Sequence, residues 1–158
     1  MTVEIEGREF FHVAPIPLAK GSVIEVANWG RMIKALRFGN GALPNYLVRE
    51  FVFEQVRLLT AATKPSRLAG AFIFETAEFA IAMAKRKGRR DIGYVVRLVD
   101  ADAPIHRAGF NLVHDTPVAD EPAIPWWENR ARAYWAGEEI KIPELVTLSP
   151  LRIVRRLA

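Results

Sequence analysis

The fold class this sequence predicts is α+β: a split, mostly antiparallel sheet with about three flanking helices. Short apolar or aromatic strands recur along the chain, and three segments carry helical periodicity. The two kinds of element do not alternate as a parallel βαβ array would. Residues 1–158 read as one domain, long enough to bury a core, with no repeat, low-complexity run or linker to divide it.

Residues 8–13, REFFHV, are rich in aromatics and predict a first strand, ended by Pro15 and Pro17. A glycine turn in LAKGSVIEV then precedes a second short strand over residues 23–26. Between Trp29 and Pro44 the pattern weakens, and FGNGALP reads as a loop. Leu47, Val48, Phe51, Val52, Leu58 and Leu59 fall at helical spacing, which predicts a helix over residues 45–62, broken at Lys64-Pro65.

GAFIF at 70–74 is an apolar strand, after which Thr76 caps a helix that runs to Gly88 with basic residues in its last turn. IGYVVRLVD is the strongest strand, and a further one is expected within residues 109–113. Residues 121–136 form a helix with Pro in its first turn and Gly137 at its end. ELVTL and LRIVRRL close the chain as two strands around a Ser-Pro turn.

The composition excludes several classes. Hydrophobic residues make up 51% and charged residues 25%, enough apolar surface to offset the entropy of ordering, so a disordered chain is excluded. No cysteine is present, which removes disulfides, thiolate nucleophiles and cysteine-based zinc sites. The opening MTVEIEGREFF carries no signal-peptide pattern, and no segment has the roughly 20 apolar residues of a membrane span. The expected location is cytoplasmic, or delivery as a leaderless effector, with no membrane partner.

Standard catalytic motifs are missing as well. There is no G-x-S-x-G elbow, phosphate-binding G-x-x-x-x-G-K, G-x-G-x-x-G or H-E-x-x-H. Ser22, Ser66 and Ser149 have no nucleophile-like context. His12, His106 and His114 lack tight ligand spacing apart from His114-Asp115, so no metal site is expected. The basic run Lys85, Arg86, Lys87, Arg89 and Arg90 reads either as a phosphate-contacting patch for an anionic partner or as a solvated helix end. Trp126, Trp127, Tyr134 and Trp135 read either as a stacking platform or, at helical spacing, as core.

Four segments together resemble one family. FFHVAPIPLAKGSVIEV at 10–26 is similar to the opening strands of rifampin-type ADP-ribosyltransferases, and AFIFETAEFAIAMA at 71–84 to their second strand and Ala-rich helix. IGYVVRLVDADAPIHRAGFN at 92–111 resembles the strand leading to their acidic segment, and AYWAGEEIKIPELVTLSPLRIV their closing pattern. A related uncharacterised bacterial family, with a Pro-Ser-Arg before the second strand, resembles the chain more closely still. The resemblance covers most of the chain outside residues 29–69.

The resemblance implies an ADP-ribosyltransferase-type sheet, NAD as substrate, and transfer of ADP-ribose to an unidentified protein, nucleic-acid or small-molecule acceptor. It implies that His12 hydrogen-bonds a ribose hydroxyl beside the Val13 backbone and that Phe72 stacks on nicotinamide. Phe74 and Tyr94 complete the cofactor wall. The family's charge-stabilising carboxylate falls on Ala108 or Gly109, which have no such side chain, leaving His106 and Asp115 as substitutes. That departure keeps two alternatives open: a catalytically silent relative that binds NAD, ADP-ribose or nucleic acid, and a protein-interaction module of a toxin or effector system with an apolar patch at Trp126 and Trp127.

Overall fold

The structure, a computed structural model, describes residues 5–39, 41–86 and 90–158. Among the described residues are seven strands: β1 Phe10–Ala14, β2 Val23–Ile24, β3 Ala71–Phe74, β4 Ile92–Leu98, β5 Ile105–Gly109, β6 Pro143–Thr147 and β7 Leu151–Arg156. The helices among the described residues are α1 Asn28–Lys34, α2 Asn45–Thr60, α3 Ala77–Ala84, α4 Asn111–His114 and α5 Ala123–Ala136. The strands form one open antiparallel sheet in the order β2-β7-β4-β1-β3-β6-β5.

Strand alternation divides the apolar residues between two cores. One face carries Phe10, Ile73, Tyr94, Leu145 and Ile153, against which Ile5, Leu18 and Val26 of the connecting segments pack. The other face carries Ala108 and Val146, covered by Phe53 of α2 and Trp127, Ala131, Tyr134 and Trp135 of α5. Trp135 donates its indole N–H to Phe53 O at 2.8 Å, so this buried polar atom is satisfied. Between the halves the sheet narrows: β1 registers with β4 over five residue pairs but with β3 through Phe11–Phe74 alone.

Three local expectations need correction. Residues 28–34 are helical although nothing in their pattern announces it. No side chain caps α1, which is held by tertiary contact: Gly30 packs so closely on the Leu68 backbone that a Cβ would collide with its carbonyl. The strand expected within 109–113 lies instead at Ile105–Gly109, and Leu112 and Val113 enter the core from a helical turn. Its alternating partners are His106, Arg107 and Ala108 rather than β-branched residues, which hid it.

The Thr76 cap forms as expected, with Oγ1 accepting Phe79 N–H, but α3 ends at Ala84, so the basic run follows the helix rather than closing it. Lys87 and Arg89 lie outside the described residues. No helix among the described residues is long and apolar enough to cross a membrane.

Candidate functional site

His12 sits on β1 between Phe10 and Ala14 and is paired with Tyr94, so its ring belongs to the face that carries Phe10 and Tyr94. It reaches across the narrow β1/β3 seam, with Nδ1 2.7 Å from Phe72 O. A carbonyl only accepts, so Nδ1 carries the proton and Nε2 keeps a lone pair. Burial lowers the His12 pKa, and the Phe72 carbonyl only partly offsets it. Tyr94 is fully buried and its hydroxyl is committed: it accepts from Leu18 N–H at 2.8 Å and donates to Ile16 O at 3.1 Å. Val13 is half-buried beside Gly93.

Phe72 does not join His12. It alternates with Ile73, so its ring lies on the opposite, helix-covered face. There the Arg67 guanidinium lies 4.6 Å from the ring centroid, over one face of the ring. Arg67 is itself buried and donates to Glu50 at 3.0 and 3.1 Å, to Glu144, and to the Tyr134 hydroxyl at 2.7 Å. Tyr134 in turn donates to Glu144 at 2.7 Å, and Arg49 donates to Glu50 at 3.0 Å. The carboxylates near Phe72 are therefore spent on a closed ionic cluster.

This cluster predicts an acid dependence of stability. Burial pushes the Glu50 carboxyl up, but the Arg67 and Arg49 guanidiniums outweigh it and hold the group below its usual range. A depressed carboxyl stabilises the fold fully above the unfolded value of about 4.3 and loses that contribution as pH falls through the folded value. Urea midpoints are expected to fall below about pH 4. Glu50→Gln flattens this fall, and an unchanged acid slope in that variant refutes the assignment.

The segment expected to supply catalytic substitutes is closed. His106 is buried under α5, its Nε2 2.8 Å from Tyr134 O and its ring stacked on Trp135 at 5.4 Å. Burial lowers its pKa, and Lys64 adds to this while the Tyr134 carbonyl opposes it. Ala108 is fully buried, and a Cβ on Gly109 would stand 2.7 Å from Asn111 Oδ1 and 3.2 Å from Glu139 O. The acid expected here has no open space to occupy.

Asp115 lies elsewhere, at the rim of a cavity of about 240 Å³ between α3 and α4. Phe79, Met83, Phe110 and Ile142 give this cavity apolar walls, and Arg86, His114 and Asp115 are its charged or titratable lining groups. Phe74, Phe79 and Phe110 pack edge to face, with centroids 4.9, 5.9 and 5.2 Å apart, and His114 stacks on Phe110 at 4.9 Å. Phe74 thus supports the aromatic wall from the sheet. Arg86 Nη1 lies 3.4 Å from His114 Nε2, and Asp115 pairs with Arg130 at 3.2 Å.

Sequence reasoning did not single out Phe79, Phe110 or Met83. The signal was present in α3, where Phe79, Ala82 and Met83 share one face, with Arg86 just beyond the helix end.

Of the remaining candidates, Lys85 and Arg90 are exposed, and Arg86 is the basic residue that enters the cavity. Trp127, Tyr134 and Trp135 are core residues, and Arg130 lies 3.8 Å over the half-buried Trp126, whose edge with Trp127, Val48 and Pro117 lines a second, smaller cavity. No family model matches this chain, and no curated protein does either.

Proposed function

We propose that this chain binds a nucleotide, with NAD and ADP-ribose the first candidates, in the cavity between α3 and α4, and that it does not transfer ADP-ribose. The observation that carries the reading is the cavity itself: an aromatic wall of Phe79 and Phe110 with Arg86, His114 and Asp115 beside it. Apolar walls with a few convergent polar groups are the common pattern of small-molecule sites. Phe79, Ala82 and Met83 fall within the stretch 71–84, and Phe110 and Asn111 within 92–111, where the resemblance to ADP-ribosyltransferases expects its stacking aromatic and its acid; Arg86, His114 and Asp115 lie just beyond them. At about 240 Å³ the cavity takes one planar ring, not a whole dinucleotide, so the rest of the ligand lies outside it.

Transfer chemistry is left out of the proposal for a physical reason. A preorganised carboxylate must face the ribose as nicotinamide leaves. Glu50 and Glu144 are neutralised by Arg67, and Gly109 has no room for an acid. Among the described residues, Asp115 is the one carboxylate that lines the cavity, and Arg130 holds it.

Isothermal titration with NAD and ADP-ribose is expected to give a Kd between about 10 µM and 1 mM, the scale of one buried ring and one ionic contact. Incubation with NAD releases no nicotinamide. Met83→Trp fills the cavity and weakens binding at least about tenfold, whereas His12→Gln, on the other face of the sheet, leaves the affinity unchanged. No binding at millimolar ligand to verified folded protein overturns the reading. Loss of binding in His12→Gln but not in Met83→Trp relocates the ligand to the β1/β3 seam and overturns it equally.

A further inference from the structure

The hydrogen-bonding state of His114 is decided by its neighbour. Arg86 has only donors, so the 3.4 Å approach of its Nη1 to His114 Nε2 requires a lone pair on that nitrogen, hence a neutral imidazole protonated at Nδ1. Arg86 Nε is buried with no partner among the described residues, which leaves the guanidinium under-satisfied. The two side chains line one cavity side by side, and their contact is at the long limit of a hydrogen bond.

We infer that Arg86 and His114 form the anion-binding end of the cavity, taking a phosphate of the nucleotide between them, and that filling it draws one proton onto His114 Nε2. The inference rests on the nucleotide reading above. An anion bound between the two replaces the Arg86–His114 contact with two charge-assisted bonds, one from each side chain; His114 Nε2 must then donate, and the negative charge beside the ring favours the imidazolium over the neutral Nε2–H tautomer. The proton comes from solvent and stays on the imidazole while the anion is bound; no covalent bond changes.

The surrounding charges agree. Partial burial and the positive charges of Arg86, just after α3, and Arg49, from α2, hold His114 below its ordinary value. Asp115, next in the chain, and Glu144, from β6, oppose this more weakly. Asp115 is in turn engaged by Arg130 of α5. A phosphate placed between Arg86 and His114 cancels the cationic influence and raises the imidazole.

The signs follow from linkage. Below the free-state pKa of His114 the proton is already bound and affinity is highest; above the bound-state pKa no proton is taken up and affinity is lowest. Between them the affinity falls as pH rises, by up to about tenfold per unit for one proton.

The test is calorimetric titration of the full chain with ADP-ribose, whose phosphates stay ionised from pH 5.5 to 8.5, in two buffers of different ionisation enthalpy. The expected result is a buffer-dependent enthalpy corresponding to uptake of up to one proton, with affinity falling as pH rises. His114→Gln retains binding but loses both effects, and Arg86→Gln weakens binding about tenfold or more. In nuclear magnetic resonance spectra the His114 ring proton titrates at higher pH when ADP-ribose is present. ADP-ribose that fails to bind at any of these pH values overturns the cavity reading. Binding with equal enthalpy in both buffers, or a wild-type pH slope in His114→Gln, leaves that reading standing and overturns the proton inference alone.

Discussion

Arg67→Ala is expected to lower the unfolding free energy by about 3–5 kcal/mol, because it leaves two carboxylates buried without a counter-charge. Glu50 and Glu144 are 1% and 2% exposed, and Arg67 is the guanidinium that touches both. Arg49 remains beside Glu50 but does not reach Glu144, whose other partner is the Tyr134 hydroxyl. Burial raises the Tyr134 pKa well above the ordinary phenol value, so it stays a neutral donor and supplies no charge.

For a chain of this length the loss corresponds to a fall in Tm of about 6–20 °C. Thermal melts followed by circular dichroism measure it directly. Adding Glu50→Gln and Glu144→Gln to Arg67→Ala removes the stranded charges and recovers much of the loss. A single-variant melt within about 3 °C of wild type would show that water or rearrangement compensates the carboxylates, contrary to the closed cluster described above.

The second large effect falls on the missing acid. Gly109→Asp restores the type of residue expected by the resemblance, yet it is expected to destabilise the protein by about 2–4 kcal/mol and to confer no nicotinamide release. Asn111 is the reason. Its Oδ1 accepts from Lys141 and Ile142 N–H at 3.0 and 3.3 Å, and its Nδ2 donates to Glu139 O at 3.0 Å, tying α4 to the segment before β6. A Cβ on Gly109 meets that same Oδ1 and the Glu139 carbonyl, so the side chain breaks the tie before a carboxylate can be placed. Gly109→Ala separates the two causes, since it carries the clash without the charge. A stable Gly109→Asp protein that releases nicotinamide from NAD would overturn both this account and the non-transferase reading.

Much of the element list was legible because it depends on local pattern. Aromatics ended by Pro15 and Pro17 marked β1, apolar runs marked β3 and β4, and the span of α2 followed from its periodicity. The Thr76 cap and the left-handed Gly137 at the end of α5 are local backbone chemistry and were read correctly. The elements that were misread depend on distant partners. The α1 helix exists where Gly30 can approach Leu68, and β5 exists because β6 pairs with it residue by residue.

For the candidate site the division is sharper. The sequence by itself determined which residue types were available: no thiolate, no nucleophilic serine motif, no acid at Ala108 or Gly109, and aromatics and cations clustered near residues 72–86 and 106–115. It also determined the parity of each strand, since successive side chains must point to opposite faces.

Only the tertiary structure decided which face met which neighbour. It put His12 and Phe72 on opposite sides of one sheet, covered Phe72 with Arg67, and buried His106 beneath Trp135. It also brought α3 against the turn after β5, so that Phe79, Arg86, His114 and Asp115 border one cavity. The physical reason is range. Propensity and alternation act over a few residues, whereas ion pairing, close packing and the shape of a cavity are settled by groups 30 to 80 positions apart that meet only when the sheet closes, such as Arg67 with Glu144 (|i−j| = 77).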